Sequence, residues 1–390
     1  MSTAEACEKW GVSLRQVQRL MADNRLPDAK KYGRSWMIPA DAKRPIDKRK
    51  ERRLPQRTLS EDLLYVYDST AVPMPVHDPD AILKAMTEDR LRLIYQGELA
   101  YLRGDFRQSM DCFHRTQGDD SARLRVCPMA IAAAISAGDY RTYTEIDAYL
   151  KNCVREAKDS QVIAVAELSL ATVAVSVIAP NMAPDWLKEG DISALPSPIQ
   201  PNALYLRAKY FSGLSNFEAM LAVAETALSL CSSRQGISHH DIYLRMMCAV
   251  ACRYLQRNDE ARRWLLDAMG IALPHGFITP FSELVTAFGG MMELCLKQEF
   301  PAYYDAVIDQ WKRTWKNWII FHNQFTQNNM TVILSLREHH IASLVAQRVP
   351  YAKIAKRYGI SVGRVKNIML EVYSKLRISG RDELSKYVFP

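Results

Sequence analysis

Near the carboxyl end of the chain, three polar side chains are of the types that hydrogen-bond to nucleic acid. Arg364, Lys366 and Asn367 occur within four consecutive residues. Arginine and lysine donate to guanine edges and to phosphates, and asparagine pairs with an adenine edge. The apolar residues around them fall at steps of four, three and four, which predicts one helix with a buried stripe: Val365, Met369, Val372 and Leu376. The polar residues then share its outer face, where they can contact bases in a DNA groove.

Two preceding helices are predicted to hold this one in place. Ser335 and Glu338 have capping-box spacing, which predicts the start of a first helix. Its apolar face contains Ile341, Leu344 and Val345. A second, short helix is predicted from about Pro350 to Tyr358, and Gly359 ends it because glycine accepts the left-handed conformation. Ser361 caps the third helix, so the whole pattern is typical of a helix-turn-helix.

This segment also resembles the LuxR/GerE-type DNA-binding domain. The residues that carry the resemblance are Arg337-Glu338, Ile354-Ala355, Ile360-Ser361, Val365-Lys366, Lys375-Leu376 and Arg381. The resemblance implies a four-helix domain over residues 331–390, with Lys366, Asn367 and Leu370 at base-reading positions. It also implies that a last helix, Asp382 to Val388, takes part in dimerisation. The residues expected to contact DNA are Ser361, Arg364, Lys366, Asn367, Leu370, Lys375 and Arg381.

The chain departs from this family at several positions. Where the family usually has Gly, Ser, Glu, Thr and His, the chain has Arg348, Pro350, Lys353, Arg364 and Ile368. These differences agree with the fold but leave the preferred DNA sequence open.

A second helix-turn-helix pattern lies at the amino end. Ser2 to Glu5 has capping-box spacing, Gly11 ends the first helix, and Ser13 caps a second one. The outer face of the second helix carries Arg15, Gln16, Gln18 and Arg19. Residues 29–38 predict two short strands around Gly33, which form a basic wing with Lys30, Lys31 and Arg34.

Residues 1–44 resemble the winged helix-turn-helix of MerR-type regulators and phage excisionases, through EACEKWGVSLRQVQRL and KKYGRSWMIP. The resemblance implies that the second helix reads the major groove and that the wing contacts the DNA backbone. Bases would be contacted by Arg15, Gln16, Gln18 and Arg19, and phosphates by Lys30, Lys31 and Arg34. The alternative is that this segment is a small folded cap docked on the rest of the protein.

The charge of the chain is divided unevenly. Residues 1–57 carry 15 Lys/Arg and 7 Asp/Glu, residues 58–330 carry 25 and 32, and residues 331–390 carry 11 and 4, which gives +8, −7 and +7. Two basic ends around an acidic middle are typical of a nucleic-acid-binding protein, although a merely solvated basic tail is the common alternative. Residues 45–58 are highly charged and predict a basic flexible linker.

The middle of the chain, residues 59–330, is predicted to be helical. Gly104-Asp105-Phe106 and Gly138-Asp139-Tyr140 place similar turns 34 residues apart, and weaker copies follow near Gly213 and Gln256. This period resembles tetratricopeptide repeats and predicts an α-solenoid. Aromatic residues recur at helical spacing before the C-terminal domain and indicate either core packing or a dimer seam or partner groove: Trp311, Trp315, Trp318, Phe321 or His322, and Phe325. The pairs His239-His240 and His339-His340 are expected at helix surfaces or boundaries.

Several other classes of protein are disfavoured. The first residues contain no apolar leader, and the longest apolar run, 162–179, is interrupted by Glu167, so a cytoplasmic location is expected. The eight cysteines follow no disulfide framework, and Cys248 and Cys252 suit a helix core better than a metal site. No phosphate-binding loop, catalytic triad or carboxylate pair occurs, so we expect neither an enzyme nor a cofactor.

Together these patterns predict a mainly α transcription regulator that binds double-stranded DNA through both ends and acts as a homodimer. The helical middle would sense a peptide, small-molecule or protein effector. The rival hypothesis is a helical-repeat adaptor whose terminal domains make protein contacts.

Overall fold

A computed structural model of the chain is mainly α-helical and divides into two compact units, Met1–Thr58 and Leu59–Pro390. The structure describes residues 1–22, 26, 29–32, 35–39, 42, 58–70, 78–231, 238–326, 333–334 and 336–388. The predicted linker up to residue 57, Gly33 and Arg34 of the wing, and Ser335 of the predicted capping box lie outside these residues. The two units are described separately.

The first unit contains two helices and a hairpin: α1 (Thr3–Trp10), α2 (Leu14–Ala22), β1 (Lys30–Tyr32) and β2 (Ser35–Met37). Ser2 and Glu5 form the predicted capping box, and Gly11 has the left-handed φ of 59° that separates the helices. The strands are antiparallel, with Lys31 opposite Trp36. Apolar side chains from helices and hairpin share one small core: Ala6, Trp10, Val17, Leu26 and Ile38.

In the described part of the second unit, all the regular secondary structure is helical. Its α-helices are α3 (Leu59–Thr70), α4 (Pro79–Ala85), α5 (Asp89–Leu102), α6 (Phe106–Arg115), α7 (Asp120–Ala137), α8 (Tyr140–Glu156), α9 (Ser160–Ser176), α10 (Asp185–Glu189), α11 (Gln200–Gly213), α12 (Phe217–Cys231), α13 (His239–Tyr254), α14 (Asn258–Ala272), α15 (Thr279–Ser282), α16 (Val285–Phe288), α17 (Met291–Glu299), α18 (Tyr304–Thr326), α19 (Leu336–Ala346), α20 (Tyr351–Tyr358) and α21 (Val362–Leu376). Short 3-10 turns lie at Pro180–Met182, Leu273–His275, Pro301–Tyr303 and Arg381–Lys386.

The four turns that the sequence predicts in the middle all join packed helix pairs. Each turn holds one residue in the left-handed region, at φ 82° for Gly104, 72° for Gly138, 56° for Ser215 and 65° for Gln256. Asp105 then caps α6, because its carboxylate accepts the backbone N–H of Gln108 at 3.0 Å. In the weaker copies the left-handed residue is not glycine, and Gly213 belongs to the preceding helix. The turns are therefore confirmed, and the middle is a packed helical body.

The long helix α18 lies against the two glycine turns. The side chain of Gln310 donates to the hydroxyls of Thr279 at 2.9 Å and Ser282 at 2.8 Å, and a Cβ added to Gly104 would come 1.9 Å from Gln310 Oε1. Two helical turns later, Asn317 donates to the Ser136 carbonyl at 2.9 Å, beside Gly138. These glycines are therefore needed both for the turn and for the close approach of α18.

Several aromatic and cysteine residues of the middle are core residues. Trp311 and Trp315 are buried, which agrees with the core interpretation of the tryptophan pattern. Cys248 and Cys252 are also fully buried, and burial raises the pKa of both thiols, which disfavours the thiolate that a metal would need.

The C-terminal segment forms three α-helices, α19 to α21, around a core of its own. The predicted last helix, Asp382 to Val388, is present as a 3-10 helix at Arg381–Lys386, so it begins one residue earlier and ends two residues earlier than predicted. So short a segment gains few i→i+4 hydrogen bonds, and a 3-10 turn is the usual alternative. Its Leu384 is still fully buried in the C-terminal core.

Candidate nucleic-acid interface

The outer face of α21 is built as the sequence predicts. The Ser361 hydroxyl accepts the Arg364 backbone N–H at 3.1 Å, which caps the helix, and Gly359 has a φ of 61° at the turn before it. The predicted stripe of Val365, Met369, Val372 and Leu376 is buried. The side chains opposite that stripe are exposed: Arg364, Lys366, Asn367 and Leu370. Leu370 is 65% exposed on this face.

Arg348 stands where the LuxR-type family usually has glycine, and its backbone keeps the conformation that glycine favours. Its φ is 61°, in the left-handed region. Its guanidinium lies 3.3 Å from the Asp382 carboxylate, on the 3-10 turn.

Two residues that are predicted to contact DNA also form interactions within the C-terminal domain. Lys375 Nζ lies 2.7 and 2.9 Å from the two carboxylate oxygens of Glu338, and this ion pair joins α21 to α19. Arg381 Nε donates to the Val345 carbonyl at 2.7 Å, and its side chain is partly buried. Both residues hold the C-terminal domain together, and DNA contact by either remains a prediction.

The first unit presents a comparable face on α2. Arg15, Gln16, Gln18 and Arg19 are all exposed, and Val17 between them is fully buried. Gln16 has a structural role as well, because its side-chain oxygen accepts the Ser13 backbone N–H at 2.9 Å and so caps the helix. On the hairpin, Lys30 and Lys31 are exposed, whereas Arg34 lies outside the described residues.

The C-terminal domain is attached to the helical body through Arg357, a residue that sequence reasoning missed. Its guanidinium donates to the Phe288 carbonyl at 2.9 Å and covers Gly289 and Gly290, where an added Cβ would come 2.6 and 2.2 Å from guanidinium atoms. Burial lowers the pKa of this arginine. The pair Gly289-Gly290 was the signal for this contact in the sequence, since adjacent glycines often mark a place where another group comes close to the backbone.

His339 and His340 do not lie at the surface, so the expected location is wrong. They are 0% and 3% exposed, and their rings lie 5.1 Å from Trp315 and 5.8 Å from Trp311 of α18. The reason is tertiary: α18 covers this side of α19. Burial lowers the pKa of His339 to about 4 and that of His340 to about 3.

The amino-terminal residues also match a known family. Residues 1–42 match the pattern described as a helix-turn-helix domain. The chain therefore has an N-terminal helix-turn-helix domain. This match spans α1, α2 and the hairpin, and it indicates DNA binding by this unit. No significant match was found among curated proteins or among solved structures. Within the described ranges, no helix has both the length and the apolar character needed to cross a membrane.

Proposed function

We propose that the chain is a sequence-specific DNA-binding transcription regulator with a reading helix at each end. The observation that carries the proposal is the pair of helices α2 and α21, each of which packs apolar side chains against a core and exposes a polar face. The N-terminal match to a helix-turn-helix domain supports the first of them. In this proposal the chain is a regulator and not an enzyme.

At the C-terminal end, the residues that read bases are Lys366 and Asn367. Both are exposed on α21, one turn from the exposed Leu370. Lysine suits guanine, asparagine suits adenine, and leucine can contact a thymine methyl group. The resemblance to the LuxR/GerE-type domain supports the same assignment. We further propose that the chain acts as a homodimer, since such domains read paired half-sites.

The helical body, residues 59–330, is proposed to be a tetratricopeptide-like solenoid that senses an effector. The four turns with a left-handed residue and the packed helix pairs support this interpretation. Stacked helix pairs provide extended surfaces and interior spaces for ligands.

The first experiment is a selection of preferred sites from random duplex DNA by the full chain, followed by affinity measurements at several salt concentrations. We expect an affinity that falls steeply as salt rises, because both basic ends would displace counterions from phosphates. Lack of preference for duplex DNA over other polyanions would refute the proposal and favour the adaptor hypothesis.

The second experiment assigns the reading helix. Lys366→Ala or Asn367→Ala should each cost about 1–3 kcal/mol at the selected site and less on random DNA. Lys386→Ala is the matched control, because Lys386 is exposed in the same domain but lies outside α21. Equal losses on selected and random DNA would instead indicate phosphate contacts. For the first unit, Arg15→Ala should weaken binding only to fragments that retain that unit's own site.

A further inference from the structure

A cavity of about 230 Å³ lies inside the second unit, where the helical body meets the C-terminal domain. The end of α9, the turn between α11 and α12, and α13 form one side of it. The segment Ser282–Ala287 and helix α18 form the other side. One more lining residue, His339, comes from α19 of the C-terminal domain. The cavity therefore belongs to both parts of this unit.

Most of the cavity wall is apolar and aromatic. Three tryptophans of α18 line it, Trp311, Trp315 and Trp318, together with Phe217 and Met247 from the facing helices. A buried cavity of roughly 150 Å³ already accommodates benzene. The larger volume here therefore suits a ligand with one or two aromatic rings. Such rings pack well against the flat indole and phenyl side chains of the wall.

Two opposite charges also lie in the wall, on Lys209 of α11 and on Glu283. They form no ion pair with each other, and Tyr101 is the residue that donates a hydrogen bond to the Glu283 carboxylate. Among the described residues, no acceptor is hydrogen-bonded to the Lys209 ammonium, whose ring contact is Tyr205 at 5.8 Å. Both side chains are half-buried, and neither charge is paired with an opposite charge within the described part of the chain. A charge held partly out of water without an opposite charge is costly, so both groups favour an incoming group of opposite charge.

The titration behaviour of the two groups is consistent with this geometry. Burial raises the pKa of Glu283 and lowers that of Lys209, and the charge of each partly offsets the effect on the other. Each side chain therefore lies in a site that disfavours its charged form when the cavity holds only protein atoms.

We propose that this cavity binds an aromatic α-amino acid. The carboxylate of such a ligand would pair with Lys209, its ammonium would pair with Glu283, and its ring would lie among the tryptophans of α18. A zwitterion suits this wall because its two charges are close together and can bridge protein charges that are too far apart to pair directly. A ligand with one charge would leave the other protein charge without a partner.

Ligand binding at this site would also change the affinity for DNA, and this step rests on the proposed function. Trp315 lines the cavity and its ring lies 5.1 Å from that of His339, on the first helix of the C-terminal domain. A ligand that fills the cavity would contact both parts of the unit at once. It would therefore stabilise the arrangement in which the C-terminal domain is docked, and DNA affinity would change accordingly.

The test is calorimetric titration of the full chain, without DNA, with four probes that share one ring system: L-tryptophan, indole-3-acetate, tryptamine and indole. We expect L-tryptophan to bind at least about tenfold more tightly than either singly charged probe, and indole to bind most weakly. Lys209→Met should reduce L-tryptophan binding about tenfold or more and leave tryptamine binding nearly unchanged. Glu283→Gln should have the reciprocal effect and spare indole-3-acetate.

Matched controls separate these effects from general damage to the fold. Lys84→Met and Glu218→Gln alter exposed residues of the same types on other helices and should leave all four affinities unchanged. Ala287→Phe should fill the cavity and abolish binding of every probe, and its melting temperature shows whether the fold is retained. If L-tryptophan does not bind, or if it binds equally well to the Lys209 and Glu283 variants, the assignment is wrong. If it binds as expected but DNA affinity does not change, the ligand site stands and the regulatory link fails.

Discussion

Acidification should destabilise the contact between the C-terminal domain and the helical body through His340. This imidazole is 3% exposed, and its Nδ1 lies 2.6 Å from the Tyr358 hydroxyl. Its Nε2 is buried and has no hydrogen-bond partner among the described residues. Burial, then the Arg357 guanidinium and then His339 lower its pKa from the ordinary 6.5 to about 3. The folded chain therefore keeps this ring neutral at pH values where the unfolded chain protonates it.

The sign and size of the effect follow from proton linkage. Between pH 6.5 and about 3 the unfolded chain binds a proton that the folded chain does not, so stability falls as pH falls through this window. At pH 5, about 1.5 units below the unfolded pKa, the loss is about 2 kcal/mol relative to pH 7.5. Glu283 and Glu293 act in the opposite direction, because burial raises the pKa of both carboxyls. The wild-type pH dependence alone therefore does not isolate the histidine.

The assay is urea unfolding at pH 7.5 and pH 5 for the wild type and for His340→Asn, whose side-chain amide can still bond to the Tyr358 hydroxyl. The variant should be less stable at pH 7.5 and should lose about 2 kcal/mol less than the wild type on acidification. His114→Asn is the control for the replacement of a surface histidine, since His114 is exposed. Identical pH dependence in the wild type and in His340→Asn would refute the argument that burial keeps this ring neutral.

Four further predictions concern the docking of the C-terminal domain, two turns and one helix interior. Arg357→Ala removes the hydrogen bond to the Phe288 carbonyl, and we expect faster amide hydrogen exchange in α20 with a loss of about 1–3 kcal/mol. Gly104→Ala should destabilise the chain by more than the roughly 1–2 kcal/mol of a left-handed alanine, because its Cβ would also clash with α18. Gly118 has a φ of 89° but open space around it. Gly118→Ala should therefore destabilise the chain by only the roughly 1–2 kcal/mol of a left-handed alanine, measured by thermal unfolding. Gly270→Ala, inside α14 and unobstructed, should instead stabilise by about 0.5–1 kcal/mol.

Local sequence determined the helices and turns at both ends and in the middle. Capping residues such as Ser2 and Ser361 satisfy backbone donors within their own first turn, and Gly11 and Gly359 end helices without reference to distant residues. The buried stripe of α21 follows from helical periodicity alone, and so does the exposed face opposite it. These features were predictable because the interactions that fix them span only a few residues.

The tertiary structure alone decided how these elements meet. Arg357 contacts a carbonyl 69 residues earlier in the chain, and Tyr101 bonds to Glu283 across 182 residues. Gly289 and Gly290 signal a close approach in the sequence, but nothing there identifies Arg357 or Glu283 as the partner, so the docking of the C-terminal domain and the cavity were not predictable. The histidines of α19 look like boundary residues in the sequence, and only the position of α18 buries them. The physical reason is that burial and charge pairing depend on neighbours brought together by folding, whereas caps and turns depend on neighbours along the chain.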